Sequence, residues 1–201
     1  MTDSNDSGSS EGSAEATAFD ESAALERVES VELTPAEHQR VKDLVNGEQM
    51  QAVANHDRVY LIAGAGGETG AATRRKIVYD LLEHRSDPPA ISIRLEDFGL
   101  TKDHMPLWCR VFDILCGRAT YIVAVIEDFD GGYVWELGLL FAPSYREDVY
   151  ILKRKYADAE VERAKYDNGM AISHIELLLD SDRIHEWIDT DELKAVVAEI
   201  P

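Results

Sequence analysis

The chain has 201 residues, of which 45% are hydrophobic, enough for one core of ordinary size. Asp and Glu number 39 against 20 Lys and Arg, for a formal net charge of -19. This balance disfavours a duplex nucleic-acid binder, which needs Lys and Arg against the phosphates, and the chain lacks the apolar run of about 18 residues that a membrane span requires.

Charge and cysteine usage indicate the environment of the protein. The acidic residues are spread over the whole chain, and a folded domain of this charge repels itself at low ionic strength. We therefore favour a halophilic protein, with a mesophilic protein that carries an acidic interaction surface as the alternative. Cys109 and Cys116 stand seven positions apart in a helix-like stretch, too far apart for a disulfide. We expect reduced core thiols and a cytoplasmic location.

The N-terminal part of the chain changes character near residue 33. Residues 1–32 are rich in Ser, Asp, Glu, Gly and Ala, a composition typical of a disordered acidic tail. Residues 33–201 are expected to form a single α/β domain. Its first helix is predicted to start after Thr34, because Pro35 and Glu37 complete the pattern of a capping box.

Apolar strand-like and helix-like segments then alternate along the chain. Strands are predicted over residues 59–63, 90–95, 121–126 and 149–152, with a short one near 184–188. Helices are predicted around residues 77–82, 106–115, 134–141 and 170–179, and a last one from Thr190. This alternation predicts a parallel sheet of four to five strands with helices on both faces. Ligands of such sheets bind at the carboxyl ends of the strands.

A glycine-rich loop follows the first predicted strand. Gly64, Gly66 and Gly67 allow close approach of the backbone to a ligand, and the helix start behind them favours anions. A plain tight turn is an equally good interpretation. The loop also resembles a dinucleotide fingerprint, in which Glu96 would take the place of the ribose-binding acid.

A second loop, after the apolar strand 121–126, carries more chemistry. Asp128 and Asp130 lie at the strand end, Gly131 and Gly132 form a sharp turn, and Glu136 falls in the opening turn of a helix. A partly desolvated carboxylate at such a place suits a nucleophile or a stabiliser of an oxocarbenium ion. The alternative is structural: Asp130 would only cap the helix, and Glu136 would be a solvated or salt-bridged helix residue.

The stretch 124–142, taken with 59–66, resembles the nucleoside 2-deoxyribosyltransferase superfamily and the related TIR-like nucleotide-hydrolysing domains. The shared features are a first strand, a short Gly-Ala-Gly loop, and an aspartate followed by a glycine turn and Glu-Leu-Gly, as in residues 130–138. The resemblance implies a flavodoxin-like parallel sheet with helices on both faces.

The same resemblance implies roles for individual residues. Glu136 would be the nucleophile at the anomeric carbon, Asp130 would contact the base or its proton, and Tyr60 would orient the nucleophile. The family's other base-contacting acid would fall on Glu96 or Asp97. Members of the family reach a neighbouring subunit's sugar site through an Asn-x-Met segment, which here is 168–170, so a homo-oligomer is implied. The residues expected to contact substrate are Gly64, Gly66, Gly67, Asp128, Gly131, Gly132, Tyr133, Asn168 and Met170.

The expected function is binding of a nucleoside or nucleotide, with cleavage or transfer at its N-glycosidic bond. Two alternatives stay open: a non-catalytic nucleotide sensor or protein-interaction module, and an NAD-binding Rossmann-type protein. No cofactor is expected. His104 and His174 have no partner at a recognisable spacing, so no metal site is expected.

Overall fold

The structure is a computed structural model, which describes residues 33–100, 105–129, 133–140, 142, 144–179 and 182–201. The acidic tail predicted for residues 1–32 lies outside the described residues. None of the helices in the described ranges combines the length and the hydropathy that a bilayer crossing needs.

Two short helices precede the sheet. Helix α1 (Pro35–Val45) begins as predicted: the Thr34 hydroxyl accepts a hydrogen bond from the Glu37 amide at 3.3 Å, and the Glu37 carboxylate accepts one from the Thr34 amide at 2.7 Å. This reciprocal pairing satisfies two amides that the helix start leaves without partners. Helix α2 (Glu48–Ala54) was not predicted, and Met50 and Val53 bury its apolar side.

Strands and helices alternate through the rest of the chain. The elements are β1 (Arg58–Gly64), α3 (Gly70–Glu83), β2 (Ala90–Ile93), α4 (Met105–Cys116), β3 (Tyr121–Ile126), α5 (Tyr133–Leu140), β4 (Val149–Arg154), α6 (Ala159–Lys165), α7 (Gly169–Leu179), β5 (Ile184–Trp187) and α8 (Thr190–Val197). The strand predicted over 90–95 is too long by two residues. It stops at Ile93 because the Asp97 carboxylate accepts a hydrogen bond from the Arg94 amide at 2.8 Å and caps a 3-10 turn, Leu95–Phe98.

The five strands form one parallel sheet in the order β2-β1-β3-β4-β5. The prediction of a flavodoxin-like sheet with helices on both faces is confirmed, since this is the flavodoxin strand order. The dinucleotide-binding fold that was kept as an alternative uses the different order 3-2-1-4-5-6.

Helices cover both faces of the sheet. Successive residues of a strand point to opposite faces, so Leu61 and Ala63 of β1 pack with α1, α2, α4, α5 and α7, whereas Tyr60 and Ile62 pack with α3 and α8. Strands β1 and β3 are buried along nearly their whole length. Each fully buried Leu or Ile stabilises the fold by roughly 1.5–3 kcal/mol, which makes these two strands the centre of the core.

The two cysteines are both free, but their environments differ. Cys116 is buried, and burial raises the pKa of its thiol to about 12. Cys109 is exposed, which corrects the expectation that both thiols lie in the core. The buried stripe of α4 includes Leu107, Val111 and Leu115, and Cys109 lies outside this stripe.

Candidate functional site

The sheet has its switch point between β1 and β3. From β1 the chain continues through α3 to β2, and from β3 it continues through α5 to β4 on the other side and the other face of the sheet. The connections that follow these two neighbouring strands diverge at the carboxyl ends of the strands, which is where open α/β sheets bind their ligands. We call this place the crevice.

The loop after β1 forms one wall of the crevice. Gly64 has a φ of 137°, and a Cβ atom at this position would lie 2.6 Å from the carbonyl oxygen of Val125. Only glycine fits both the backbone angle and the space. The loop ends at Thr69, whose hydroxyl accepts a hydrogen bond from the Ala72 amide at 3.1 Å and caps α3. The glycine-rich segment therefore leads directly into a helix N-terminus, as predicted.

Glu136 lies in the first turn of α5 and is partly buried. Burial raises the pKa of its carboxyl to about 7; the Arg75 guanidinium and the Gly64 amide oppose this rise, while the Glu96 carboxylate adds to it. Near neutral pH the group therefore exists in both protonation states. Its partial burial does not fit a solvated helix residue, one form of the structural alternative; the other form, a salt-bridged helix residue, stays an alternative.

Arg75 connects the two faces of the sheet at this edge. It is buried, and its guanidinium donates to the Gly64 carbonyl oxygen at 3.1 Å and to the Glu96 carboxylate. Its Cδ atom lies 3.3 Å from the position that a Cβ of residue 64 would take. The absence of a side chain at Gly64 therefore leaves space for the Arg75 side chain. Arg75, Glu96 and Glu136 thus form a coupled set of charges.

Sequence reasoning missed Arg75 and considered Glu96 only among several acids. A signal for Arg75 was present, since it shares a helical stripe with Val78 and Leu82, and all three are buried. A buried charged residue in an apolar stripe needs a partner of opposite charge, here Glu96. Asp97 is bound instead by Arg94, at 2.7 Å.

A second set of charges lies beside the first, at the end of β3. Glu127 is buried and accepts three hydrogen bonds: from Arg74 Nε at 2.6 Å, from Arg74 Nη2 at 2.5 Å and from Arg154 Nη1 at 2.7 Å. Both guanidiniums lie near the ring of Trp187, at 5.9 and 5.5 Å from its centroid. We call these residues the Arg74–Glu127–Arg154 cluster. Sequence reasoning did not find it.

Tyr60 does not hold Glu136, which corrects the role inferred from the resemblance. Its hydroxyl donates to the Pro201 carbonyl oxygen at 2.5 Å and accepts from Arg85 at 2.7 Å. Its ring packs among α3 and α8, whereas α5, which carries Glu136, covers the opposite face. The parity of the strand position decides this, because neighbouring strand residues face opposite sides.

The other expected contacts are distributed as follows. Asp128 lies at the carboxyl end of β3, 3.5 Å from Lys165 Nζ. The Asn168 side-chain oxygen accepts from the Ala171 amide at 3.2 Å and caps α7. Gly66 and Gly67 lie in the open part of the first loop. Asp130, Gly131 and Gly132, and the side chains of Tyr133 and Met170, lie outside the described residues.

Comparison with known proteins shows the family of the chain. No curated protein matches it. Within the described ranges, no three His, Cys, Asp or Glu side chains gather closely enough to hold a metal ion. The model of one family, described as Family of unknown function (DUF8170), matches residues 10–200, and the chain therefore belongs to this family.

Proposed function

We propose that the protein binds a nucleoside or nucleotide in the crevice and cleaves or transfers at its N-glycosidic bond, with Glu136 as the nucleophile. The observation that carries the proposal is a partly buried carboxyl group at the switch point of the sheet, with its pKa raised to about 7. Perturbed carboxyl groups in such crevices are candidates for catalysis.

The raised pKa suits a carboxylate nucleophile that works near neutral pH. A carboxylate with little hydration is more basic, and hence more reactive, than a solvated one. Arg75 and the Gly64 amide both favour the ionised form, so the set keeps a usable fraction of Glu136 ionised in spite of its burial.

The reaction would proceed in two displacements at the anomeric carbon. An oxygen of Glu136 bonds to this carbon while the carbon–nitrogen bond breaks, and the electron pair leaves with the base, which takes up a proton. The resemblance assigns this proton to Asp130, outside the described residues. Water then displaces Glu136 from the sugar and gives cleavage, or the nitrogen of another base displaces it and gives transfer; the attacking group loses its proton to the residue that protonated the first base, and Glu136 leaves as a carboxylate.

Glu96 would bind the sugar. Its carboxylate is held by Arg75 but remains about half exposed, so its lone pairs are available to sugar hydroxyl donors. Both cysteines are free, as is usual in reducing compartments, and the proposal places the protein in the cytoplasm of a halophile.

The test is release of free base from a panel of nucleosides and nucleotides in about 2 M KCl, a salt level at which charge repulsion is screened. We expect Glu136→Gln to lower the rate by about 1000-fold or more, because the amide cannot form the glycosyl ester. Glu48→Gln, an exposed change on α2, is the matched control and should leave the rate unchanged.

Turnover retained in Glu136→Gln would exclude Glu136 as the nucleophile. If no base is released by the unchanged protein but one compound raises the melting temperature, the catalytic part of the proposal fails. The protein is then a nucleotide sensor.

A further inference from the structure

The Arg74–Glu127–Arg154 cluster carries an unbalanced positive charge. Two guanidiniums share one carboxylate, so the three groups together have a charge of +1, in a chain whose formal charge is -19. The nearest acid along the chain, Asp128, is paired with Lys165. A positive group of this kind in a strongly acidic protein attracts an anion.

The two arginine side chains of the cluster are more exposed than its carboxylate, as an anion site requires. The Glu127 side chain is 6% exposed, whereas those of Arg74 and Arg154 are 24% and 28% exposed. A ligand therefore reaches the cations before it reaches the carboxylate. Glu127 and the ring of Trp187 hold both guanidiniums in place, which lowers the entropy cost of binding.

The cluster lies beside the start of α3. A Cβ atom on Gly70, the first residue of this helix, would lie 3.4 Å from both terminal nitrogens of Arg74. The partial positive charge of a helix N-terminus adds to that of the guanidiniums.

The cluster also borders the crevice that contains Glu136. Glu127 directly follows β3, two positions after Val125, which pairs with Gly64. The consecutive residues Arg74 and Arg75 belong to different charge sets: Arg74 forms an ion pair with Glu127 of the cluster, and Arg75 forms one with Glu96. Both charge sets therefore lie at the carboxyl edge of the sheet, where the proposed ligand would have to contact both.

We propose that the Arg74–Glu127–Arg154 cluster is an anion subsite that binds a phosphate group, so that the substrate class is a nucleoside phosphate rather than a free nucleoside. The planar guanidinium forks match the geometry of phosphate oxygens. The nucleoside part of this inference rests on the proposed function. The phosphate part is tested separately with inorganic phosphate.

The first experiment titrates the whole protein with inorganic phosphate at constant ionic strength and follows binding by phosphorus NMR. Saturable binding is expected. Arg154→Met should weaken it by about tenfold or more, the value of one lost charge-assisted contact. The fold should survive, because Arg74 alone still donates to both oxygens of Glu127. Arg154→Lys keeps the charge and should retain part of the affinity.

Lys76→Gln is the matched control, since it removes a cation from the exposed side of the same helix. No saturable phosphate binding, or equal losses in Arg154→Met and Lys76→Gln, would overturn the subsite.

The second experiment compares a nucleoside with its 5′-monophosphate. We expect the phosphate to raise the affinity by about tenfold or more, and Arg154→Met to remove this gain. Base release from both compounds at equal rates, unaffected by Arg154→Met, would overturn the subsite and leave the proposed function in place. Phosphate binding that depends on Arg154, without binding of any nucleoside compound, would support the subsite and contradict the proposed function.

Discussion

At Glu136, burial opposes the neighbouring groups that stabilise the carboxylate. Loss of hydration favours the neutral carboxyl, while Arg75 and the Gly64 amide favour the carboxylate; burial prevails and raises the pKa to about 7. A group of this kind costs stability when it ionises, since the unfolded chain titrates near the ordinary value of 4.5. Burial of Glu136 thus lowers stability when the group is ionised and, in the proposed function, makes the carboxylate more reactive.

This loss predicts a pH-dependent effect of Glu136→Gln on stability. Because the folded protein binds the proton more tightly than the unfolded chain, the contribution is full below pH 4.5 and is lost as the pH rises to about 7. Gln stays neutral and avoids the loss. The variant should therefore be more stable than the unchanged protein at pH 8, by at most about 3 kcal/mol, and nearly equal to it at about pH 4. Denaturant unfolding at constant salt measures both values.

The exposed change Glu48→Gln provides the control for the removal of one carboxylate elsewhere in the chain. The prediction fails if Glu136→Gln shows the same difference from the unchanged protein at both pH values.

Among the elements, β1 and β3 decide which side chains can meet. Right-handed crossovers that leave these strands in opposite directions place α3 and α5 on opposite faces. A β1 side chain that points to the α3 face, such as Tyr60, cannot reach Glu136 on α5. The carboxyl edge is where groups from both faces come together, and Arg75 crosses it next to Gly64.

The end of β1 provides a test of this arrangement. Gly64→Ala should lower the free energy of unfolding by about 2 kcal/mol or more, because it combines a positive φ with a clash against Val125 and displacement of Arg75. Gly66→Ala, in the same loop, has open space around its Cβ position and should change stability by less than about 0.5 kcal/mol. Urea unfolding measures the free energy of unfolding of both variants. Equal losses in the two would show that the close packing around Gly64 does not contribute to stability.

For the whole molecule, the net charge of -19 is the dominant property. Repulsion among exposed carboxylates opposes folding and is screened by salt, with a Debye length that falls from about 10 Å at 0.1 M to about 3 Å at 1 M. We expect the melting temperature to rise with KCl, most steeply below about 0.5 M, where screening changes fastest.

Sucrose is the control for this experiment, since it strengthens burial without screening charge. A larger rise in KCl than in sucrose supports adaptation to high salt. A melting temperature that does not respond to KCl would favour the alternative of an acidic interaction surface.

The sequence by itself determined the type and order of most elements, because those signals are local. The cap at Thr34 and the apolar run Tyr121–Ile126 depend on residues a few positions apart, and the structure has both as predicted. Repeated alternation of strand and helix also implied a parallel sheet. The same local signals placed Gly64 at a strand end and Glu136 in the opening turn of a helix.

The tertiary structure alone decided which charges meet. Glu127 and Arg154 are 27 positions apart, and Arg74 and Glu127 are 53 apart; no periodicity within a segment links them. Their contact depends on the strand order and on the face that each helix covers, as does the separation of Tyr60 from Glu136. These features arise from packing between distant segments, where burial sets the strength of every charge interaction, and a pattern along the chain does not contain that information.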